Sequence, residues 1–211
     1  MAVALKPLIE MRPPAEPLLT LADFDALPEG PPDYELDGGR LIAMLRPHPR
    51  HQAILRELST ELTIYLRAHR MGAVWPEIDV QLSRRRVFVP DLVYLADENQ
   101  GRYSAGQGRI IGAPDLVVEI VSPASAGCDR VAKFNAYREA GVPWYWLIDS
   151  QSLTIEEYRL MPEGYLAVAR VAAGEIFRPQ LFPELGVNLA ELMGEAVSIE
   201  IEAQESDESA A

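Results

Sequence analysis

Residues 86–98 read RVFVPDLVYLADE, in which one acid, Asp91, interrupts the apolar run over 87–96 directly after Pro90. The density of valine, leucine and tyrosine predicts a β-strand. A carboxylate inside such a strand is costly unless it is paired, hydrogen-bonded or bound to a metal ion. Asp91 therefore either faces solvent at a strand end or has a specific partner.

A second run, APDLVVEIVSPAS at residues 113–125, places Glu119 among valines and isoleucine in the same way. Asp91 and Glu119 are 28 residues apart, enough for a strand, a loop and a return strand, so they can be neighbours on adjacent strands. Hard cations such as Mg²⁺ or Mn²⁺ bind carboxylates, backbone carbonyls and water. The two acids and the carbonyl of Ile120 would form such a site, unless each acid merely marks a strand end.

The remaining patterns predict an α/β fold with a mixed central β-sheet flanked by helices. A helix capped by Thr20 and Asp23 comes first, and the Asp-Gly-Gly turn in YELDGGRLIAML then predicts a β-hairpin. The predicted helices are an amphipathic one over 51–70, ended by Gly72, a second over 129–140 and a short one at 189–194. The other predicted strands cover 73–83, 86–96, 115–123 and 143–150, with an antiparallel pair over 152–160 and 165–179 and a glycine-rich loop over 99–114.

Length and charge predict one folded domain with a tail at each end. The chain has 211 residues, of which 48% are hydrophobic, and a formal net charge of −13. We expect a proline-rich arm over 1–18, a domain over 19–194 and an acidic tail over 195–211. The acidic balance argues against a surface that attracts nucleic acid everywhere, but LRAHRMG (66–72) and LSRRRVF (82–88) concentrate positive charge locally.

The sequence predicts a cytoplasmic protein. Its single cysteine, Cys128, cannot form an intrachain disulfide. The N-terminal apolar run is short for a signal peptide, and no later run approaches the length of a membrane span, so no membrane partner is expected.

Lys133 is the candidate cation beside the two acids. It lies one turn into the helix that follows the Glu119 strand, where an ammonium could orient a water and stabilise a phosphoryl transition state. The alternative is a surface ion pair with Asp129, four residues earlier. His51, near the start of the first long helix, could contact a phosphate, but a histidine in this position is more often a cap or surface residue.

Five segments, in order, resemble one known family: YELDGG, VPDLVYL, GAPDLVVEIVSPAS, DRVAKFNAYREAGVPWYWLID and IEEYRL. They resemble the bacterial restriction-endonuclease family often called Uma-two, a branch of the PD-(D/E)xK nuclease superfamily, from about Leu19 to Met193.

The resemblance implies a role for four side chains. Pro90-Asp91 is the "PD" of the superfamily motif, and Glu119 is the acid of "(D/E)xK". The position two residues after Glu119 is Val121 instead of lysine. By the resemblance, Lys133 supplies the lysine from the next helix, and Glu35 corresponds to an upstream acid that acts as an additional metal ligand or base.

The resemblance implies a Mg²⁺- or Mn²⁺-dependent endonuclease that hydrolyses DNA, for which a homodimer is plausible because a duplex has two strands to cut. One alternative is a catalytically inactive nuclease-fold protein that acts in binding or assembly. Another is a metal-dependent hydrolase of a small phosphorylated molecule, which would suit the negative surface.

Overall fold

The structure, a computed structural model, describes residues 17–28, 30–121 and 128–195. Most of the predicted arm and nearly all of the predicted acidic tail lie outside these ranges. None of the helices in the described ranges has the length and apolar character needed to cross a bilayer.

A mixed six-stranded central sheet forms the core, as the sequence predicts. The strands are β3 (Ala73–Pro76), β6 (Leu92–Leu95), β9 (Leu116–Val121), β10 (Trp144–Asp149), β11 (Ile155–Met161) and β12 (Gly164–Val171). Their order in the sheet is β12-β11-β10-β9-β6-β3, in which only β9 and β10 run parallel. The first five residues of β9 are buried, as expected of a strand covered on both faces.

A second mixed sheet, which we call the outer sheet, was not expected from the sequence. The strands are β1 (Tyr34–Asp37), β2 (Arg40–Ala43), β4 (Val80–Ser83), β5 (Arg86–Phe88), β7 (Tyr103–Ser104) and β8 (Arg109–Ile111). Their order in the sheet is β2-β1-β5-β4-β8-β7. Strands β7 and β8 lie in a glycine-rich stretch predicted as a loop, because strands of two or three residues are too short to show periodicity and are fixed here by pairing.

Helices cover both faces of the central sheet. The helices are α1 (Leu21–Asp25), α2 (Pro49–His69), α3 (Cys128–Ala140) and α4 (Leu189–Leu192), with a 3-10 helix at Asp97–Arg102. Ile54 and Leu58 of α2 pack in one buried cluster with Val118 of β9. Tyr137 of α3 packs in another with Val117, which points to the opposite face of the same strand.

The end of α2 differs slightly from the sequence prediction, which placed the helix stop at Gly72. Arg70 already takes the left-handed conformation that ends the helix, with φ of 53°. Gly72 has a different function: a Cβ there would lie 2.1 Å from the Leu95 carbonyl oxygen, so only glycine lets the chain pass β6.

Candidate active site

Asp91 lies directly before β6, an interior strand, at one end of the central sheet. Its carbonyl accepts a hydrogen bond from the Glu77 N–H (3.1 Å). Its carboxylate accepts one from the backbone N–H of Ile120 (2.5 Å) and one from His51 Nε2 (2.9 Å). The side chain is only 15% exposed, so the solvent-facing alternative for Asp91 is wrong.

The strand register brings Asp91 to Glu119. β6 and β9 are antiparallel with Leu92 opposite Val118, and extending that register by one residue sets Asp91 opposite Glu119. Directly opposite residues of an antiparallel pair have Cβ atoms about 4.5–5.5 Å apart. Two carboxylates from adjacent strands therefore meet where β6 begins and β9 nears its end.

Glu119 is buried, with 7% of the residue exposed. Its Oε1 accepts a hydrogen bond from the Tyr137 hydroxyl (2.6 Å). Burial raises the pKa of Glu119 to about 8; the charge of Lys133 opposes this rise, and the charges of Asp91 and Glu35 add to it. A proton or a cation is thus needed to stabilise Glu119 beside the other acids.

Asp91, Glu119 and Glu35 interact electrostatically, and we call them the acid cluster. Lys133 supplies positive charge to the acid cluster from α3. Its Nζ lies 2.8 Å from Glu35 Oε1 and 3.4 Å from Glu119 Oε1, and 5.7 Å from the centre of the Phe88 ring. The side chain is 12% exposed, which excludes an ordinary surface ion pair as its main role. Lys133 therefore pairs with the acid cluster.

Glu35, on β1 of the outer sheet, is 3% exposed. Its Oε1 accepts the backbone N–H of Val89 (2.9 Å) as well as the Lys133 ammonium. Val89 lies two residues before Asp91, so these contacts join the outer sheet, the Asp91 segment and α3 at one point.

Two further side chains contact the acids: His51, which the sequence raised only as a possible phosphate contact, and Tyr137, which it did not predict as a site residue. His51 donates to Asp91: burial lowers the pKa of His51, but the hydrogen bond and charge of Asp91 outweigh this, and the net pKa is raised. Tyr137 donates to Glu119 and lies four residues after Lys133, so helix spacing could have placed it on the same face. The contact of His51 is tertiary and has no local signal.

A divalent cation fits the donor chemistry of this site. In the ranges that the structure describes, no three His, Cys, Asp or Glu side chains converge as a ready-made set of metal ligands. Asp91 and Glu119 nevertheless supply two opposed carboxylates. Because the N–H and C=O of one strand residue point to the same side, the Ile120 carbonyl faces the side on which its N–H contacts Asp91. Two carboxylates, a carbonyl and waters suit a hard cation.

The raised pKa of Glu119 predicts the pH dependence of stability without metal. A carboxyl whose pKa is higher in the folded state stabilises the fold at low pH, and this contribution is lost as the pH rises from the ordinary value of 4.5 through about 8. In EDTA, the free energy of unfolding measured by urea denaturation should fall across this range. Glu119→Gln should flatten the slope, whereas the exposed Glu98→Gln should not. Parallel slopes for wild type and Glu119→Gln would contradict the assignment.

A cavity of about 420 Å³ lies at the opposite end of the central sheet, lined by residues that include Tyr94, Asp115 and Trp144. The Asp115 carboxylate there accepts hydrogen bonds from the Ala96 N–H and the Asn99 amide, both at 2.8 Å. Asp115 thus caps local structure away from the acid cluster.

Comparisons with known proteins agree with the predicted family and fold. The model of the Uma2 family, described as "Putative restriction endonuclease", matches residues 21–190. The crystal structure of a putative nuclease from Anabaena variabilis is similar, with a TM-score of 0.67 and 24% sequence identity over 83% of this chain and 98% of that chain. No curated protein matches the chain significantly.

Proposed function

Since the chain belongs to the Uma2 family of putative restriction endonucleases, we propose that it is a metal-dependent endonuclease that hydrolyses the phosphodiester bonds of DNA. One observation carries the proposal beyond the family: the Lys133 ammonium lies within 3.4 Å of Glu119, whose strand neighbour at the same level is Asp91. Two acids and a lysine at the same end of the central sheet suit hydrolysis of a phosphodiester bond.

We assign the cation site to Asp91, Glu119 and the carbonyl of Ile120, with Mg²⁺ or Mn²⁺ as the ion. Such a cation would neutralise charge on the phosphate oxygens and lower the pKa of an attacking water. His51 holds Asp91 in place through its 2.9 Å contact, and the Ile120 N–H fixes the second oxygen of the same carboxylate. Both contacts limit the rotation of Asp91 and pre-organise it as a ligand.

Lys133 takes the role of the motif lysine that Val121 cannot supply. Its side chain reaches the cluster from α3, and its charge favours the ionised form of Glu119. In the reaction, the ammonium orients the attacking water and stabilises negative charge that develops on the phosphoryl group. Because the side chain is largely buried, this charge is poorly screened by solvent.

Glu35 orients Lys133 in this proposal. The 2.8 Å ion pair to Lys133 and the 2.9 Å hydrogen bond from the Val89 N–H use the same oxygen, Oε1. An acid held in this way keeps the ammonium near Glu119. The sequence prediction of Glu35 as a ligand or base differs from this role, and the two can be separated by experiment.

A nuclease that acts on DNA inside the cell would work in the cytoplasm, where we place this protein. Cutting both strands of a duplex would suit two copies related by a two-fold axis. Mass measurement in solution, with and without a DNA duplex, tests whether the copies pair.

The test is nicking of supercoiled plasmid by the full chain in Mg²⁺ or Mn²⁺. We expect conversion to open circles that stops in EDTA and resumes when the cation is restored in excess. A preparation of Asp91→Asn controls for contaminating nucleases. Absence of cleavage of duplex DNA, single-stranded DNA and RNA would overturn the proposal and favour the inactive, binding or assembly protein.

A further inference from the structure

Two neighbouring turns of the outer sheet carry exposed arginines. Arg40 follows the turn between β1 and β2, and Arg84 and Arg85 form the turn between β4 and β5. The Gly39 N–H donates a hydrogen bond to the Arg85 carbonyl (3.0 Å), so the two turns are adjacent. We call these three residues the arginine patch.

Backbone hydrogen bonds to residues 19–21 hold the patch in place. The Leu21 N–H donates to the Arg84 carbonyl (3.0 Å), and the Leu19 N–H to the Gly39 carbonyl (2.8 Å). Gly39 has φ of +86°, and a Cβ there would lie 2.9 Å from both the Leu18 Cβ and the Leu19 carbonyl oxygen. Glycine is therefore needed for this close approach, and the arginine side chains are not.

The side chains of the patch have no assigned structural task. Within the part of the chain that the structure describes, Arg40, Arg84 and Arg85 form no ion pair, and each is exposed. The next residue, Arg86, differs: it bonds Asp37 (2.8 Å) and Glu139 (3.0 Å). A cluster of unpaired positive charge is unexpected in a chain with a net charge of −13.

Arg86 also ties the patch to the acid cluster. Its partner Glu139 lies on α3, six residues after Lys133, a separation of about 9 Å along a helix. On the other side, β5 runs from Arg86 towards Val89, which contacts Glu35. Arg85 stands four residues before Val89, about 13 Å along an extended strand, so the arginine patch lies about this far from the acid cluster.

We propose that the arginine patch binds the phosphate backbone of the DNA substrate beside the scissile bond, without reading its sequence. At 3.4 Å per nucleotide along one strand, a distance of about 13 Å corresponds to roughly four nucleotides. The inference rests on the proposed endonuclease function, and it explains how an acidic protein holds a polyanion.

The test measures binding of a fluorescently labelled DNA duplex by anisotropy in EDTA, where cleavage is absent, between about 50 and about 200 mM salt. Arg84→Gln/Arg85→Gln should weaken binding at least about ten-fold near 0.1 M salt, and should lower the slope of log K against log[salt] by about 1.8. The effect should be the same for unrelated DNA sequences.

The matched control is Arg67→Gln/Arg70→Gln, which removes the same charge at the far end of α2. Arg67 lies sixteen residues after His51, about 24 Å along the helix from the Asp91 contact. This variant should bind DNA like the wild type. Equal weakening in both double variants would show that net charge alone acts and would overturn the patch.

The binding and cleavage assays distinguish failure of the arginine-patch proposal from failure of the endonuclease proposal. If the wild type nicks plasmid and Arg84→Gln/Arg85→Gln binds DNA with the same salt slope as the wild type, the patch proposal is overturned and the endonuclease proposal stands. Wild-type protein that does not nick, but binds duplex with a slope lost in this variant, would support the patch and refute the catalytic proposal. Wild-type protein that binds no DNA would overturn the patch.

Discussion

Replacing Asp91 by asparagine is expected to reduce plasmid nicking by about 10³-fold or more. Stabilisation of charge by a catalytic cation contributes several kcal/mol, and each 1.36 kcal/mol is a factor of ten in rate. The amide keeps the size of the side chain and an oxygen that can accept the Ile120 N–H, but it removes the negative charge opposite Glu119. The initial rate of nicking in Mg²⁺, at matched protein concentration, measures the effect.

Asp115→Asn is the matched control for Asp91→Asn. Asp115 is also an acid directly before a central strand, and its carboxylate also accepts a backbone N–H. It lies at the opposite end of the sheet, so its loss should affect stability without abolishing nicking. A thermal melt should show both variants folded. Nicking by Asp91→Asn at a rate within about ten-fold of the wild type would remove Asp91 from the reaction.

Binding of the cation provides a readout independent of turnover. Mg²⁺ or Mn²⁺ should raise the melting temperature of the wild type, because a ligand that binds the folded state stabilises it by mass action. The shift should vanish in Asp91→Asn and persist in Asp115→Asn. A shift that remains in Asp91→Asn would place the cation elsewhere on the protein.

Local signals in the sequence predicted most of the elements. The Asp-Gly-Gly turn predicted the β1–β2 hairpin, and the capping pattern of Thr20 and Asp23 predicted α1, whose two reciprocal hydrogen bonds are present. The spacing of apolar residues predicted α2, and the unbroken apolar run predicted β9. These features depend on residues close in sequence, where backbone preference and periodicity are strong.

The division of the strands into two sheets could not be read in the same way. β5 and β8 have three residues each, and their pairing partners are set by the packing of the whole domain. The side-chain contacts of the site depend on that division. Glu35 comes from the outer sheet and Lys133 from α3, so their ion pair joins residues 98 positions apart that no spacing rule connects. The contact of His51 with Asp91 is of the same kind.

Replacing Lys133 by methionine is expected to reduce nicking by about 10²- to 10³-fold, the range for loss of one group that stabilises transition-state charge. Methionine keeps the length and packing of the side chain but removes the ammonium beside Glu119. Binding of duplex DNA in EDTA should change little, since the arginine patch lies elsewhere. The rate of nicking, the affinity for DNA and the melting temperature should be measured on the same preparation.

A double-mutant cycle with Glu35→Gln separates the two roles considered for Glu35. If Glu35 acts by orienting Lys133, Glu35→Gln should slow nicking in the wild type but have no further effect in Lys133→Met, because residues that act as a unit are not additive. If Glu35 instead serves as a ligand or base, as the family resemblance implies, the two losses should multiply. The close contact of Lys133 Nζ with Glu35 Oε1, at 2.8 Å against 3.4 Å for Glu119, favours the first outcome. Independent effects would return Glu35 to the cation site.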